Sequence, residues 1–413
     1  MRAILSLLLA GLFAALLALS PGLAAAEDVS GQSSTYLTLR EDLFGENVGQ
    51  LYEYLNLNVG GIKGRDISLH LDGWIRQSVT DEYGTSNSFE QELRYGYGRF
   101  GSTYGKTRVD AGRVVVFEGV ASEQIDGAYA RLGKVLGLAV FGGVPVETDF
   151  DDRDGDIVYG ARLFRDKPGS YSVGVSYLQE ENDSRDFREE MGVDLWFNLF
   201  GKANIQGLSS YNGITNDWME HSYYLSLGPI WDLRVNAEFS YIDYENFFQS
   251  ATMSAFSFDN IDRNEKLAMA GVSANYQFTG EVLGSALYRN YQYDVAGSAD
   301  YFGGELRFLV TGLAAGASFY RMSGETDDLQ YYQYRVFASK RVGMADVTVD
   351  LLDVDYDAPI NGEDNAFNVV GAVAYALSPK YTVGADVEYS ENPFFDEEVK
   401  AFLKFIYRFS KGA

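Results

Sequence analysis

The sequence has no cysteine, only 7 prolines and 2 histidines, and, beyond its N-terminal stretch, no apolar run long enough to span a bilayer as a helix. Without thiols there is no disulfide frame, no Cys-ligated zinc or iron–sulfur site, no lipid-modified cysteine and no C-x-x-C-H haem attachment on this chain. Basic residues are also scarce. The chain carries 33 Lys and Arg against 59 Asp and Glu, a formal net charge of −26, which argues against nucleic acid as a partner. His70 and His221 are the only imidazoles, and neither a G-x-S-x-G elbow nor a phosphate-binding glycine loop occurs. We therefore expect no enzyme and no cofactor; His70 reads as an inner-wall side chain beside Asp72, and His221 as a rim residue.

The chain is rich in tyrosine (30), glycine (44 of 413 residues) and alternation. Its first 26 residues read as a cleaved secretory signal. Arg2 supplies the positive start, residues 3–18 are almost wholly apolar, Pro21 breaks the run, and Ala24-Ala25-Ala26 offers small residues for cleavage. Residues 27–413 then form a single domain.

From residue 33 to 409 the sequence falls into period-2 segments separated by turn chemistry. Leu233, Val235, Ala237, Phe239 and Tyr241 alternate with Arg234, Asn236, Glu238 and Ser240; Tyr381, Val383, Ala385, Val387 and Tyr389 alternate with Thr382, Gly384, Asp386 and Glu388. A soluble antiparallel sandwich also alternates, but one unbroken run of about 22 strands is too long for it. Tyrosines clustered at segment ends and the export signal point the same way. The reading is an all-β, antiparallel, up-and-down transmembrane β-barrel of the Gram-negative outer membrane, with about 22 strands, or 20 if one hairpin is misread. Every second connection is tight, as at Lys63-Gly64, Gly201-Lys202, Thr279-Gly280 and Ser378-Pro379, whereas 41–49, 79–88, 148–155, 181–186, 246–264, 324–328, 357–365 and 391–396 read as longer. That pattern predicts short periplasmic turns, both termini in the periplasm, and loops that meet outer-membrane lipid and lipopolysaccharide. The last segment, with Phe405, Tyr407 and Phe409, resembles the C-terminal signal read by the barrel assembly machinery, although Ser410 to Ala413 extend beyond its aromatic end.

Alternation places a mixed-charge set on the inner wall: Glu92, Arg94, Arg162, Arg234, Glu238, Glu305, Arg307, Arg335, Asp386 and Lys404. Residues Asp149 to Asp156 cluster carboxylates around Gly155. Aligning that glycine to a calcium loop puts Phe150 at the first ligand position, so a solvated acidic loop is favoured and no metal is expected. The stretch Gly112-Arg113, followed by Asp126-Gly127 at the start of the next strand, resembles a pattern common among large bacterial porins. The resemblance covers about 25 residues; it implies a porin-like channel with Arg113 and Asp126 near the pore wall, whereas a plain hairpin with charges paired across strands explains the same residues.

A barrel this wide needs either an open bore or something in it. The connection 246–264, with Phe247, Phe248, Phe256 and Phe258, is the sequence's candidate for an inward constriction. A passive channel for small hydrophilic solutes or ions is the first functional expectation. The alternative is a sheath around a multihaem cytochrome, because the chain is similar in strand number, short turns and lack of a plug to the barrels of porin–cytochrome conduits.

Overall fold

The computed structural model describes residues 28–41, 47–62, 65–80, 89–101, 107–146, 156–182, 185–251 and 265–411. These residues form one closed antiparallel sheet of 22 strands. The first eight are β1 (Asp28–Glu41), β2 (Asn47–Gly60), β3 (Ile67–Ser78), β4 (Phe89–Phe100), β5 (Thr107–Glu118), β6 (Ala121–Gly133), β7 (Leu136–Pro145) and β8 (Ile157–Lys167). The next seven are β9 (Tyr171–Asn182), β10 (Arg185–Leu199), β11 (Ala203–Asn212), β12 (Asp217–Ile230), β13 (Leu233–Asp243), β14 (Lys266–Gln277) and β15 (Val282–Tyr293). The last seven are β16 (Gly297–Val310), β17 (Leu313–Gly324), β18 (Gln330–Val342), β19 (Ala345–Ile360), β20 (Glu363–Ala376), β21 (Tyr381–Asn392) and β22 (Phe395–Lys411). Each strand pairs with the next, and β1 closes the ring on β22 from Val29–Lys411 to Arg40–Lys400. Closure removes the free edges at β1 and β22 that would otherwise leave backbone groups unpaired.

Strand lengths run from 10 residues in β7 and β11 to 17 in β22. A tilted strand of about 9–11 residues crosses a bilayer, so each is long enough. Alternation sorts the side chains as the sequence predicts. On β19, Val347, Val349 and Leu351 stand exposed on the outer surface, while Asp346, Thr348 and Asp350 take the other face. Aromatic rings crowd the end of the barrel that holds the termini: Tyr381 stacks on Tyr407 at 4.9 Å, Tyr276 meets Phe278 at 4.9 Å, and Phe200 and Trp231 project from turn tips. Such a ring suits the level at which apolar tails give way to headgroups.

Several expected boundaries move. β1 begins at Asp28 instead of residue 33. Residues 357–365 are mostly strand: β19 runs to Ile360, the turn is Asn361–Gly362, and β20 starts at Glu363. Likewise β21 reaches Asn392 and the turn is Pro393–Phe394, while β9 and β10 extend to Asn182 and from Arg185. The acidic character that suggested loops belongs instead to strand ends. Asp357, for example, is a strand residue paired with Arg321 two strands away. The connection after β13 opens as a helix, α1 (Tyr244–Ala251), held by Asn212 Nδ2 donating to the Asn246 carbonyl at 2.9 Å.

One ladder is incomplete. β4 and β5 pair only from Gly96–Arg113 to Phe100–Val109, although β5 and β6 pair along their whole length, from Thr107–Leu132 to Glu118–Ala121. The far half of the β5–β6 hairpin therefore leaves β4.

Candidate functional site

Long-range contacts show where that hairpin goes. Arg188 on β10 donates to Glu123 on β6 at 2.6 Å, and Arg162 on β8 meets Glu118 on β5 at 3.3 Å. Four strand spacings separate β6 from β10, about 19 Å along the wall, so the first contact can only be made through the interior. The turn itself, Gly119–Val120, docks on β9, where the Val120 amide donates to Ser176 Oγ at 3.0 Å. The hairpin folds into the bore and lies against the inner surface of β8 to β10.

Its sequence explains the docking. In β5 the run Val114-Val115-Val116-Phe117 is apolar on both faces, unlike a wall strand with one wet face. Val114, Val116, Val120, Ala121 and Ile125 are buried against Val158, Phe164 and Leu178 of the wall, a dry core inside the barrel. Full burial of each valine or isoleucine stabilises by about 1.5–3 kcal/mol. Charge then fixes the register. Glu118, 6% exposed, accepts from Arg131 at 2.6 Å and from the Tyr129 hydroxyl at 2.6 Å; Arg162 also reaches Asp194 at 2.5 Å. Gly119 has φ +66°, and a β-carbon there would run into the Ser176 side chain. Only glycine fits both the turn and the approach.

Glu118 and Glu123 lie inside, so the pairing registers identify the inner row of every strand. Glu92 accepts from the Trp74 indole at 2.9 Å, and Arg94 pairs with Asp72 and covers the Tyr54 ring at 5.5 Å. Glu238 pairs with Arg289 at 2.6 Å, Glu305 with Arg307, Arg335 with Asp350 at 2.5 Å, and Asp386 with Lys404 at 2.8 Å. Arg234 is exposed on the same face. Arg113 and Asp126 form a two-bonded pair, 2.7 Å at each contact, on the opposite row of the inward hairpin. The charges of that motif pair across strands, on a hairpin that enters the bore.

Facing the hairpin across the interior, β1 to β4 and β21 to β22 line a recess of about 940 Å³. Its floor is Tyr36, Tyr52 and Tyr54, with Tyr36 edge-on to Tyr54 at 5.6 Å, and its charged lining includes Arg40, Arg94 and Lys400.

Phe247 sits half-buried on α1. The side chain of Phe248, and Phe256 and Phe258 altogether, lie outside the described residues, as does most of the Asp149–Asp156 cluster. His70 bonds Asn58 at 2.7 Å and Ser68 at 2.8 Å and stacks on Tyr97, so its partners are not Asp72; His221 bonds Ser209 at 2.8 Å beside Trp218. Sequence reasoning missed Glu118, Glu123, Arg131, Ser176, Arg188 and Glu190. The doubly apolar run in β5 was the available signal.

The fold and the inner wall define a porin-like closed barrel narrowed by one of its own hairpins. No protein-family model matches the chain, and neither does any curated protein. Among solved structures it is similar to OccAB4 of Acinetobacter baumannii (TM-score 0.49, 9% identity, 93% of this chain and 98% of that one). It is also similar to OccK8 (OprE) of Pseudomonas aeruginosa (0.48, 10%, 93% and 98%) and to the translocation pore of the P pilus usher PapC (0.48, 10%, 92% and 99%). At that identity the likeness concerns barrel architecture, and no residue role is carried across.

Proposed function

We propose that the chain is a passive channel of the bacterial outer membrane for small hydrophilic solutes or ions. The observation that carries this reading is the inner wall: away from the docked hairpin, the described strands line it with charged and polar side chains, acids and bases paired strand to strand, inside a mainly apolar outer surface. Paired charges keep such a wall wet without a strong field of one sign, which suits diffusion of varied polar solutes. The hairpin supplies the narrowing that a 22-stranded ring requires.

The cytochrome-sheath alternative has no observation in its favour; part of the space a guest would occupy is taken by the chain's own Val114 to Ile125. Outer-membrane lipid, lipopolysaccharide and, during insertion, the assembly machinery at Phe405, Tyr407 and Phe409 are the partners that follow from this reading. Planar-bilayer recording of the purified protein alone tests it. Discrete conductance steps are expected, and a barrel that conducts nothing by itself and co-purifies with haem would overturn it.

A further inference from the structure

We propose that the incomplete β4–β5 ladder forms a lateral slot through which apolar small molecules pass between the bore and the surrounding bilayer. The proposal rests on the reading of the chain as a membrane-spanning barrel and adds a second route to it.

On the β5 side, residues Phe89–Tyr95 of β4 have no ladder partner among the described residues. The pairing that would continue the wall is replaced by two side chains: Arg113 Nη1 donates to the Leu93 carbonyl at 2.9 Å, and Gln124 Nε2 to the Arg94 carbonyl at 2.6 Å. These plug the near end of the slot. Beyond them the β4 edge and the hairpin diverge, because the hairpin's inner row is pinned to β8, β9 and β10 by its core and by Glu118, Val120 and Glu123.

The height matters. Leu55, Gly73 and Leu93 share one level on the outer face, so the lower end of the unpaired edge stands within the apolar band, and Glu53, Ile75 and Gln91, one outward position higher, mark its upper margin. Open sheet edges are not tolerated against lipid unless they border protein or a water-filled cavity, and here the bore lies behind.

The slot's banks are mainly apolar, with Gln91 exposed between Phe89 and Leu93 on β4 and the Arg113–Asp126 pair at the foot of the hairpin's row. Leu93 and Phe89 of β4 face outward, 41% and 51% exposed. On the other bank stand Val115 and Phe117, 40% and 73% exposed, in the row of β5 that would face lipid if the hairpin stayed in the wall. Drawn inward, that row becomes a greasy ramp from the bilayer towards the bore. Its cargo is an uncharged molecule small enough to leave the acyl region sideways. An ion would have to shed its water at Phe117, and the charges of that row, Arg113 and Asp126, are already bound to each other at 2.7 Å.

The chain has no native cysteine, so single labels test the geometry cleanly. Fluorophores on Val115→Cys and Phe117→Cys would be challenged, in vesicles, with bromine-bearing acyl chains and with aqueous iodide; Val193→Cys on the outer face and Gln206→Cys on the inner face are controls. Quenching of positions 115 and 117 by both agents is expected. Quenching by iodide alone would mean a slot closed to lipid, and by lipid alone a hairpin lying in the wall; either result overturns the proposal.

Transit is read separately, as entry of the apolar dye N-phenyl-1-naphthylamine into cells carrying the barrel. Leu93→Asp, on the outward side of β4 and away from the bore, should lower dye entry several-fold and leave single-channel conductance unchanged. Unchanged dye entry, or dye entry and conductance falling together, would overturn the slot as a separate route. A protein with no conductance at all would instead refute the channel reading, and the quenching result would still stand.

Discussion

Glu123 and Arg188 meet at 2.6 Å across the interior of the barrel, 65 residues apart in the chain, with Glu190 completing the triad at 2.5 Å from the same guanidinium. All three side chains are nearly buried, so the pair does more than a surface ion pair would.

Removing one partner leaves a buried charge uncompensated, at a cost of about 3–5 kcal/mol. Arg188→Met should therefore loosen the hairpin and raise single-channel conductance, with larger open-state noise. A conductance equal to wild type would show that the apolar core holds the hairpin without this triad.

Gly119 gives an independent handle on the same element. Gly119→Val combines a disfavoured positive φ with a clash on Ser176, and it should undock the turn and increase conductance as Arg188→Met does. Gly371→Ala, where a β-carbon meets nothing within 4 Å, serves as the control. If the two substitutions behave alike in bilayer recordings, the steric argument fails.

The connection after α1 can be separated from the hairpin by deletion. Removing residues 252–264, the part of the 246–264 connection beyond α1, tests the expectation that this connection narrows the bore, and we expect a smaller conductance change than undocking the hairpin produces. The reverse order would return the constriction to that connection.

Glu53 occupies an outward-facing position on β2, where its carboxylate accepts from Ser33 and Thr35, each at 2.5 Å. Charge on a lipid-facing wall costs free energy, less for acids than the roughly 2–4 kcal/mol of a base at the midplane. Glu53→Leu should raise the urea midpoint for unfolding from vesicles. A lowered midpoint would mean that the hydroxyl–carboxylate cluster stabilises the β1–β2 seam.

The closing strand should show the same asymmetry. Leu403 faces outward and Lys404 inward against Asp386, so Leu403→Arg should cost several times more stability than Lys404→Gln. Equal costs in vesicle refolding would contradict the assignment of faces on β22.

Much of this architecture was legible before any coordinates. A strand's side chains alternate by stereochemistry alone, so Leu233 to Tyr241 and Tyr381 to Tyr389 announce their faces, and the succession of such segments yields all 22 strands. The pairings within one hairpin, such as Arg113 with Asp126, were equally near the surface of the sequence. Loop lengths were less so, because acidic residues such as Asp357, Glu363 and Asp364 read as loop where the strands simply run on.

What alternation cannot express is a strand that leaves the wall. The Val114–Phe117 run signals two apolar faces but not which surface covers one of them. That surface is assembled from Val158, Phe164, Ser176 and Leu178, which closure of the ring brings opposite the hairpin. The contacts of Glu118 and Glu123 with Arg162 and Arg188 span 44 and 65 residues, and no local rule encodes them. The sequence alone therefore determined the barrel, its strand count and its two faces, since those follow from backbone geometry and burial. Only the tertiary structure decided which hairpin enters the bore and where the β4–β5 ladder ends, since both depend on contacts between strands that are not neighbours in the sheet.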